Sequence, residues 1–136
     1  MKVKIDGHGY KPERAHSTDA GLDILSPFNT IVRARESVII KTGVHVQLPD
    51  NTAGLLVSKS GLNVKHGITS TGLIDQGYTG EITVKLYNNG NRDYKIERGD
   101  KISQLVIIPV LYESVELVEE LEETERGSAG FGSTGR

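Results

Sequence analysis

The chain of 136 residues has no cysteine, no tryptophan, one methionine and four prolines. Without cysteine there is no disulfide framework and no thiolate metal site. Long apolar runs are missing too. The longest lies near Leu105–Tyr112, far short of the roughly 20 residues that cross a bilayer. Neither sign of charge dominates. Sixteen Lys and Arg stand against eighteen Asp and Glu, a formal net charge of -2. That balance lacks the basic stripe of a nucleic-acid binder, so no direct nucleic-acid binding is expected. It leaves room for a small anionic ligand held by a few local cations. No basic-then-apolar leader opens the chain, which favours a cytoplasmic protein with no membrane partner. The length fits one domain, which buries roughly two-thirds of its unfolded surface.

What is present is a period of two. Val3 and Ile5 alternate with charged residues, as do Val44, Val46 and Leu48 with polar ones, and Ile82, Val84 and Leu86 with Thr83, Lys85 and Tyr87. Each reads as a half-buried strand. Leu55–Val57 and Leu105–Ile108 are continuous apolar runs that suit fully buried strands, and Val115–Val118 adds another. Pro49-Asp50-Asn51 marks a turn. Asn89-Gly90, between Ile82–Tyr87 and Tyr94–Ile96, is a hairpin signal. The one stretch suited to a helix is Ser60–His66. Many short strands with such punctuation predict an all-β sandwich or barrel.

Two segments differ in composition. Glu113–Glu125 sets carboxylates among Val and Leu and reads as a final strand with a solvated outer face. From Thr124 the chain turns Gly- and Ser-rich. It has little to bury, as expected of a flexible end, yet it carries an Arg, a Phe and a Ser-Thr pair, which suits a flap that closes on a ligand. The organisation expected is a domain over residues 1–123 and an arm over residues 124–136.

Several clusters offer chemistry. Gly130–Gly135 spells G-x-G-x-x-G, but a dinucleotide site requires a helix afterwards and only Arg136 follows. Its backbone N–H groups remain suited to phosphate oxygens, with Ser133 and Thr134 as further donors. Ser58-Lys59-Ser60-Gly61-Leu62 places a cation, hydroxyls and a glycine where a short helix begins, either an anion cradle or an ordinary turn capped by Ser60. Gly72–Glu81 holds Asp75 and Tyr78 among glycines, either a decorated turn or a general base beside an aromatic platform. In Asp19-Ala20-Gly21-Leu22-Asp23 two acids flank small residues, as near a metal's water shell. Arg98–Leu105 reads as a turn entering a buried strand. The four histidines, His8, His16, His45 and His66, show no H-x-x-x-H pairing and read as surface or loop residues, not zinc ligands.

Taken together and in order, these clusters change the reading. Ala20–Asp23, Ser58–Leu62, Gly72–Ile82, Gly99–Leu105 and Arg126–Gly135 resemble the five motifs of the trimeric dUTPase family, over nearly the whole chain. The resemblance implies a distorted jelly-roll-like β-clip sandwich and a homotrimer whose C-terminal arm closes over a shared site. It implies hydrolysis of dUTP to dUMP and pyrophosphate by attack on the α-phosphate, which limits uracil in DNA and supplies dUMP for thymidylate synthesis. Mg2+ is the implied cofactor. By the same resemblance, Asp75 activates water and Tyr78 lies under the deoxyribose. Thr69, Leu73, Ile74 and Thr83 fall where uracil is gripped. Lys59, Ser60, Gly61 and Gln104 match phosphate contacts, and Arg126, Ser133 and Thr134 match γ-phosphate contacts. Phe131, with Gly132 beside it, matches the ring that stacks on uracil. Asp23 matches the acid facing the metal's waters. The chain departs from the family at Lys59, where most relatives carry Arg, and in a shorter segment between His66 and Asp75. A dCTP deaminase of the same fold and a nucleotide-gated interaction protein are the alternatives.

Overall fold

The computed structural model describes residues 1–130 and Gly135. Its elements are β1 (Lys2–Ile5), β2 (Gly21–Leu25), β3 (Thr30–Val32), β4 (Ser37–Gln47), β5 (Thr52–Val57), α1 (Ser60–His66), β6 (Ile68–Thr69), β7 (Thr71–Ile74), β8 (Glu81–Asn88), β9 (Tyr94–Ile96) and β10 (Lys101–Pro109). Two four-stranded sheets, ordered β1-β4-β8-β6 and β2-β10-β5-β7, are joined by a small β3-β9 ribbon. Every named pairing is antiparallel. The all-β, jelly-roll-like expectation holds.

The core follows from the period of two. Along β8, Ile82, Val84 and Leu86 point inward while Thr83, Lys85 and Tyr87 face out. Across the first sheet they meet Ile40, Val44 and Val46 of β4, and from the second sheet Leu22, Ile24, Leu56, Ile74, Ile102 and Leu105 close the cluster. Each buried aliphatic side chain contributes about 1.5–3 kcal/mol. One short helix, α1, forms as expected over Ser60–His66. Its cap position is Lys59, in extended conformation and without a side-chain cap bond, so Ser60 begins the helix and does not cap it.

Several expectations are corrected. β1 is exposed along its whole length, because it forms the outer edge of its sheet and crosses no core. Asn89-Gly90 does not close a hairpin, since β8 pairs with β4 and β6 while β9 pairs with β3. The reason is Asn88, whose buried amide donates to the carbonyls of Val32 at 2.9 Å and Arg92 at 2.8 Å, so the loop turns toward β3. In the two continuous apolar runs only Leu56 and Leu105 are fully enclosed. Leu56 and Leu105 face the core, while Leu55, Val57, Val106 and Ile108 are half-covered on the other side of the sheet. Val115–Val118 forms no strand, and the whole 113–125 stretch has no element. A strand needs a partner, and β10, which precedes it, is already flanked on both sides by β2 and β5. Val115, Leu117 and Leu121 are therefore 97%, 98% and 86% exposed.

Candidate active site

β7 and β8 lie in different sheets, and residues 75–80 carry the chain across. The Tyr78 N–H donates to the Asp75 carbonyl at 3.0 Å and closes this bend. Gln76 ties it to the Pro49–Asn51 turn, accepting from the Asn51 N–H at 2.8 Å and donating to Asp50 at 3.0 Å. The Tyr78 hydroxyl donates to the Glu81 carbonyl at 3.0 Å. This folds the ring over Gly80, where any Cβ would collide with it. Local chemistry thus fixes both a carboxylate and an aromatic face.

The bend borders a cleft of about 230 Å³ between the sheets, lined in part by Leu73, Ile74, Asp75, Tyr78, Glu81 and Thr83. Ile74 is buried and belongs to the core cluster, so it borders this cleft from the core side. β7 is the edge strand of its sheet, and alternate residues of an edge strand leave N–H and C=O groups unpaired. Those groups suit a planar ligand that both donates and accepts. Asp75 is exposed, and among the described residues its carboxylate has no hydrogen-bond or ion-pair partner. Its lone pairs are open to water. Glu81, which the motif reading passed over as a site residue, shares the cleft, but its carboxylate accepts the Gly43 N–H at 2.8 Å.

The second cluster is built on the outer face of the β2-β10-β5-β7 sheet. Asp23 pairs with Gln104, Gln104 with Val57, and Val57 with Thr71, which makes one row across β2, β10, β5 and β7. Asp23 is 5% exposed. Lys59 reaches one of its oxygens at 2.5 Å and Lys101 the other at 2.7 Å. Burial pushes the Asp23 carboxyl upward, but the hydrogen bonds from Lys101 and Lys59, and their charges, outweigh it and hold the carboxyl below the usual range. The hydrogen bond to Asp23, with its charge, raises Lys101 in turn. The Gln104 amide donates to the Ser58 carbonyl at 3.1 Å, drawing Ser58–Gly61 against the row. Ser60 and Gly61 are exposed at the start of α1. The motif reading kept Lys101 as a turn residue. The signal for its partnership was the register of β10 against β2, which is invisible in sequence.

The two clusters do not meet within one chain. Asp75 lies four residues beyond Thr71, so ~13 Å of strand separates it from the Asp23 row. Thr69 lies two residues before Thr71 on the short β6, which pairs with the end of β8 remote from the bend, and its hydroxyl accepts from Asn89 at 3.1 Å. Arg126 is exposed and donates to the Ala129 carbonyl at 2.9 Å within its own segment. Phe131, Gly132, Ser133 and Thr134 lie outside the described residues. Among the described residues no group of three His, Asp or Glu side chains gathers to hold a metal ion, and no helix is long and apolar enough to cross a membrane.

A family model described as dUTPase matches residues 8–135. The chain belongs to the dUTPase family. The deoxyuridine 5'-triphosphate nucleotidohydrolase of Clostridium acetobutylicum is 47% identical, covering 99% of this chain and 96% of that protein. Its counterpart in Kluyveromyces lactis is 40% identical over 100% of this chain and 94% of its own length. Among solved structures, the dUTPase of Staphylococcus bacteriophage 80alpha with dUPNHPP superposes with a TM-score of 0.89 at 35% identity, covering 99% of this chain and 98% of that one. A variant dUTPase from phage phi11 of S. aureus, described with a structural Mg(II) ion, gives 0.82 at 33% identity over 90% and 98%.

Proposed function

We propose that Asp75 orients the water that attacks the α-phosphorus of dUTP, the chain being a dUTPase that releases dUMP and pyrophosphate. The supporting observation is the Asp75 carboxylate, without a partner among the described residues and placed one turn from the Tyr78 ring on the cleft beside an edge strand. A carboxylate that no neighbour occupies can hold a water in line and accept its proton. Leu73, Ile74 and Thr83 border the place of the uracil, and the unpaired backbone of β7 supplies donors and acceptors for its polar edge. Tyr78 forms the floor under the deoxyribose, where a ribose 2′-hydroxyl finds no room. Cytosine presents the reverse donor pattern and leaves buried groups unpaired, which costs far more than a missing methyl.

Lys59, Ser60, Gly61 and Gln104 offer cations and donors to the phosphates. The site residues test poorly as a protein-built magnesium cage, since both Asp23 oxygens already carry an ammonium. They fit magnesium brought in by the triphosphate, with Asp23 facing its water shell. Bound that way, Mg2+ neutralises phosphate charge and polarises the α-phosphorus.

A complete site calls for more than one copy. The ~13 Å between Asp75 and the Asp23 row within a chain, the half-covered face of Leu55 and Val106, and the bare Val115, Leu117 and Leu121 all support the homotrimer. In that assembly the bend of one chain meets the phosphate row of another. The arm from Thr124 onward, with Arg126, Phe131, Gly132, Ser133 and Thr134, closes over the nucleotide, excluding bulk water. The reading places the enzyme in the cytoplasm.

The test is a panel of dUTP, UTP, dCTP and dTTP with magnesium, resolving pyrophosphate, phosphate and ammonia. Pyrophosphate from dUTP alone is expected. Because Glu81 puts a second carboxylate on the cleft, ammonia release from dCTP would move the assignment to a deaminase of the same fold.

A further inference from the structure

β4 and β8 pair in register until Lys41 opposite Thr83, and pairing resumes with His45 opposite Glu81. Three residues of β4, Thr42–Val44, thus stand where β8 has only Ile82. Bulges of this kind re-aim side chains and occur beside active sites. This one is closely tied. Gly43 has φ of 70°, and a Cβ there would collide with the Asp6 carbonyl. The Gly43 carbonyl accepts from the Asp6 N–H at 2.8 Å, and its own N–H donates to Glu81 at 2.8 Å. The buried Thr42 hydroxyl donates to the Ile82 carbonyl at 2.7 Å. The residue that leaves the bulge is His45.

His45 bridges two segments. Its Nδ1 lies 2.9 Å from the Thr79 carbonyl, and its Nε2 lies 2.9 Å from the Asp6 carboxylate. A carbonyl only accepts, so Nδ1 is the donor in the first contact. Lys4 of β1 and Glu81 of β8 are its cross-strand neighbours, and Asp6 also takes a hydrogen bond from Lys4 at 3.2 Å. Thr79 sits in the bend between Tyr78 and Gly80. The bend is therefore tied near one end by Gln76 and near the other by His45. The side chain of His45 is 21% exposed, against 49% for Asp6, so the ring is sheltered enough for the contact to persist.

We propose that His45 is a positioning residue for the catalytic bend. By holding the Thr79 carbonyl against the bulged strand, it fixes the angle at which Asp75 and Tyr78 meet the cleft. This rests on the reading of Asp75 as the water-orienting group. A bend free to shift by a fraction of an ångström would leave nucleotide affinity near normal while misaligning the attack, and misplacement of about 1 Å can cost on the order of 100-fold in rate.

The test uses the full-length enzyme and three variants, His45→Ala, His45→Gln and Asp75→Asn. His45→Ala is expected to lower kcat about tenfold with KM for dUTP within about twofold, the size of effect that partial misalignment produces. His45→Gln keeps an amide N–H within reach of the Thr79 carbonyl and should recover to within about threefold of the parent. Backbone amide resonances of Gly77, Thr79 and Gly80 should move in His45→Ala and return toward the parent in His45→Gln. Parental kcat in His45→Ala, a change in KM alone, or a glutamine variant no better than alanine overturns the proposal. Unmoved amides overturn it as well, and they do so without reference to turnover. Failure of the base reading would show separately, as full turnover in Asp75→Asn.

Discussion

Two aspartates, 52 positions apart in the sequence, each lie two positions from a glycine and both sit in candidate site motifs, yet the fold treats them oppositely. Asp23 emerges from a strand into a row shared with β10 and β5, is nearly enclosed, and is held by two lysines. Asp75 emerges where a strand stops, stays in solvent, and has no partner among the described residues. An enclosed, doubly paired carboxylate is a fixed charge that organises its neighbours. An open carboxylate on a braced bend leaves its oxygens to solvent, as the proposed water-orienting role requires. The residue type is the same, and the surroundings assign the work.

The sharpest way to break that contrast is Asp75→Asn. Loss of a general base typically costs 10²–10⁴ in rate, so kcat should fall about 1,000-fold. The urea midpoint should stay where it was, because the exposed Asp75 carboxylate has no partner among the described residues. A variant that unfolds early, or that turns over normally, removes the distinction. The opposite signature belongs to Asp23→Asn. Removing one member of a buried ion pair costs about 3–5 kcal/mol. The lysines here are 27% and 50% exposed and regain water, so a loss of about 2 kcal/mol in urea unfolding is expected. The dependence on acid has a definite sign. The folded Asp23 carboxyl is held below its unfolded value, so its contribution is present above about pH 4 and fades as pH falls through the folded value. The stability gap between parent and Asp23→Asn should therefore narrow in acid.

Smaller effects sharpen the picture. Tyr78→Ala should narrow the preference for dUTP over UTP about tenfold in kcat/KM, the scale of a lost steric contact. Lys59→Arg should change kcat/KM by no more than about threefold, since a guanidinium can span the Asp23 oxygen and a phosphate together. A much larger change would mean that the compact ammonium is required against Asp23.

Legibility in the sequence followed the range of the interactions. β8 was readable because Ile82, Val84 and Leu86 are inward in every respect and their neighbours are not. Helix α1 was readable from its flanking turn chemistry, and Gly67 ends it in the left-handed conformation. The first half of β4, at Ser37–Ile40, was not, because Ile39 is 60% exposed and breaks the alternation that marks a half-buried strand. The Asn89-Gly90 hairpin failed because a tertiary bond from Asn88 outranked a local turn preference. Among candidate site residues, the order of motifs singled out Asp75, Tyr78, Lys59 and Gln104. It did not bring out Lys101, Gln76 or His45, whose roles depend on register, on a distant turn and on a bulge. Thr69 was placed by its position in the chain, and its strand pairs with the end of β8 remote from the bend.

The bare leucines and valines between Val110 and Glu122 have a consequence for handling the protein. The homotrimer proposed above would cover such a stretch, so mass action couples assembly, fold and turnover. Dilution should then act as a mild denaturant, drawing down specific activity and melting temperature along the same curve.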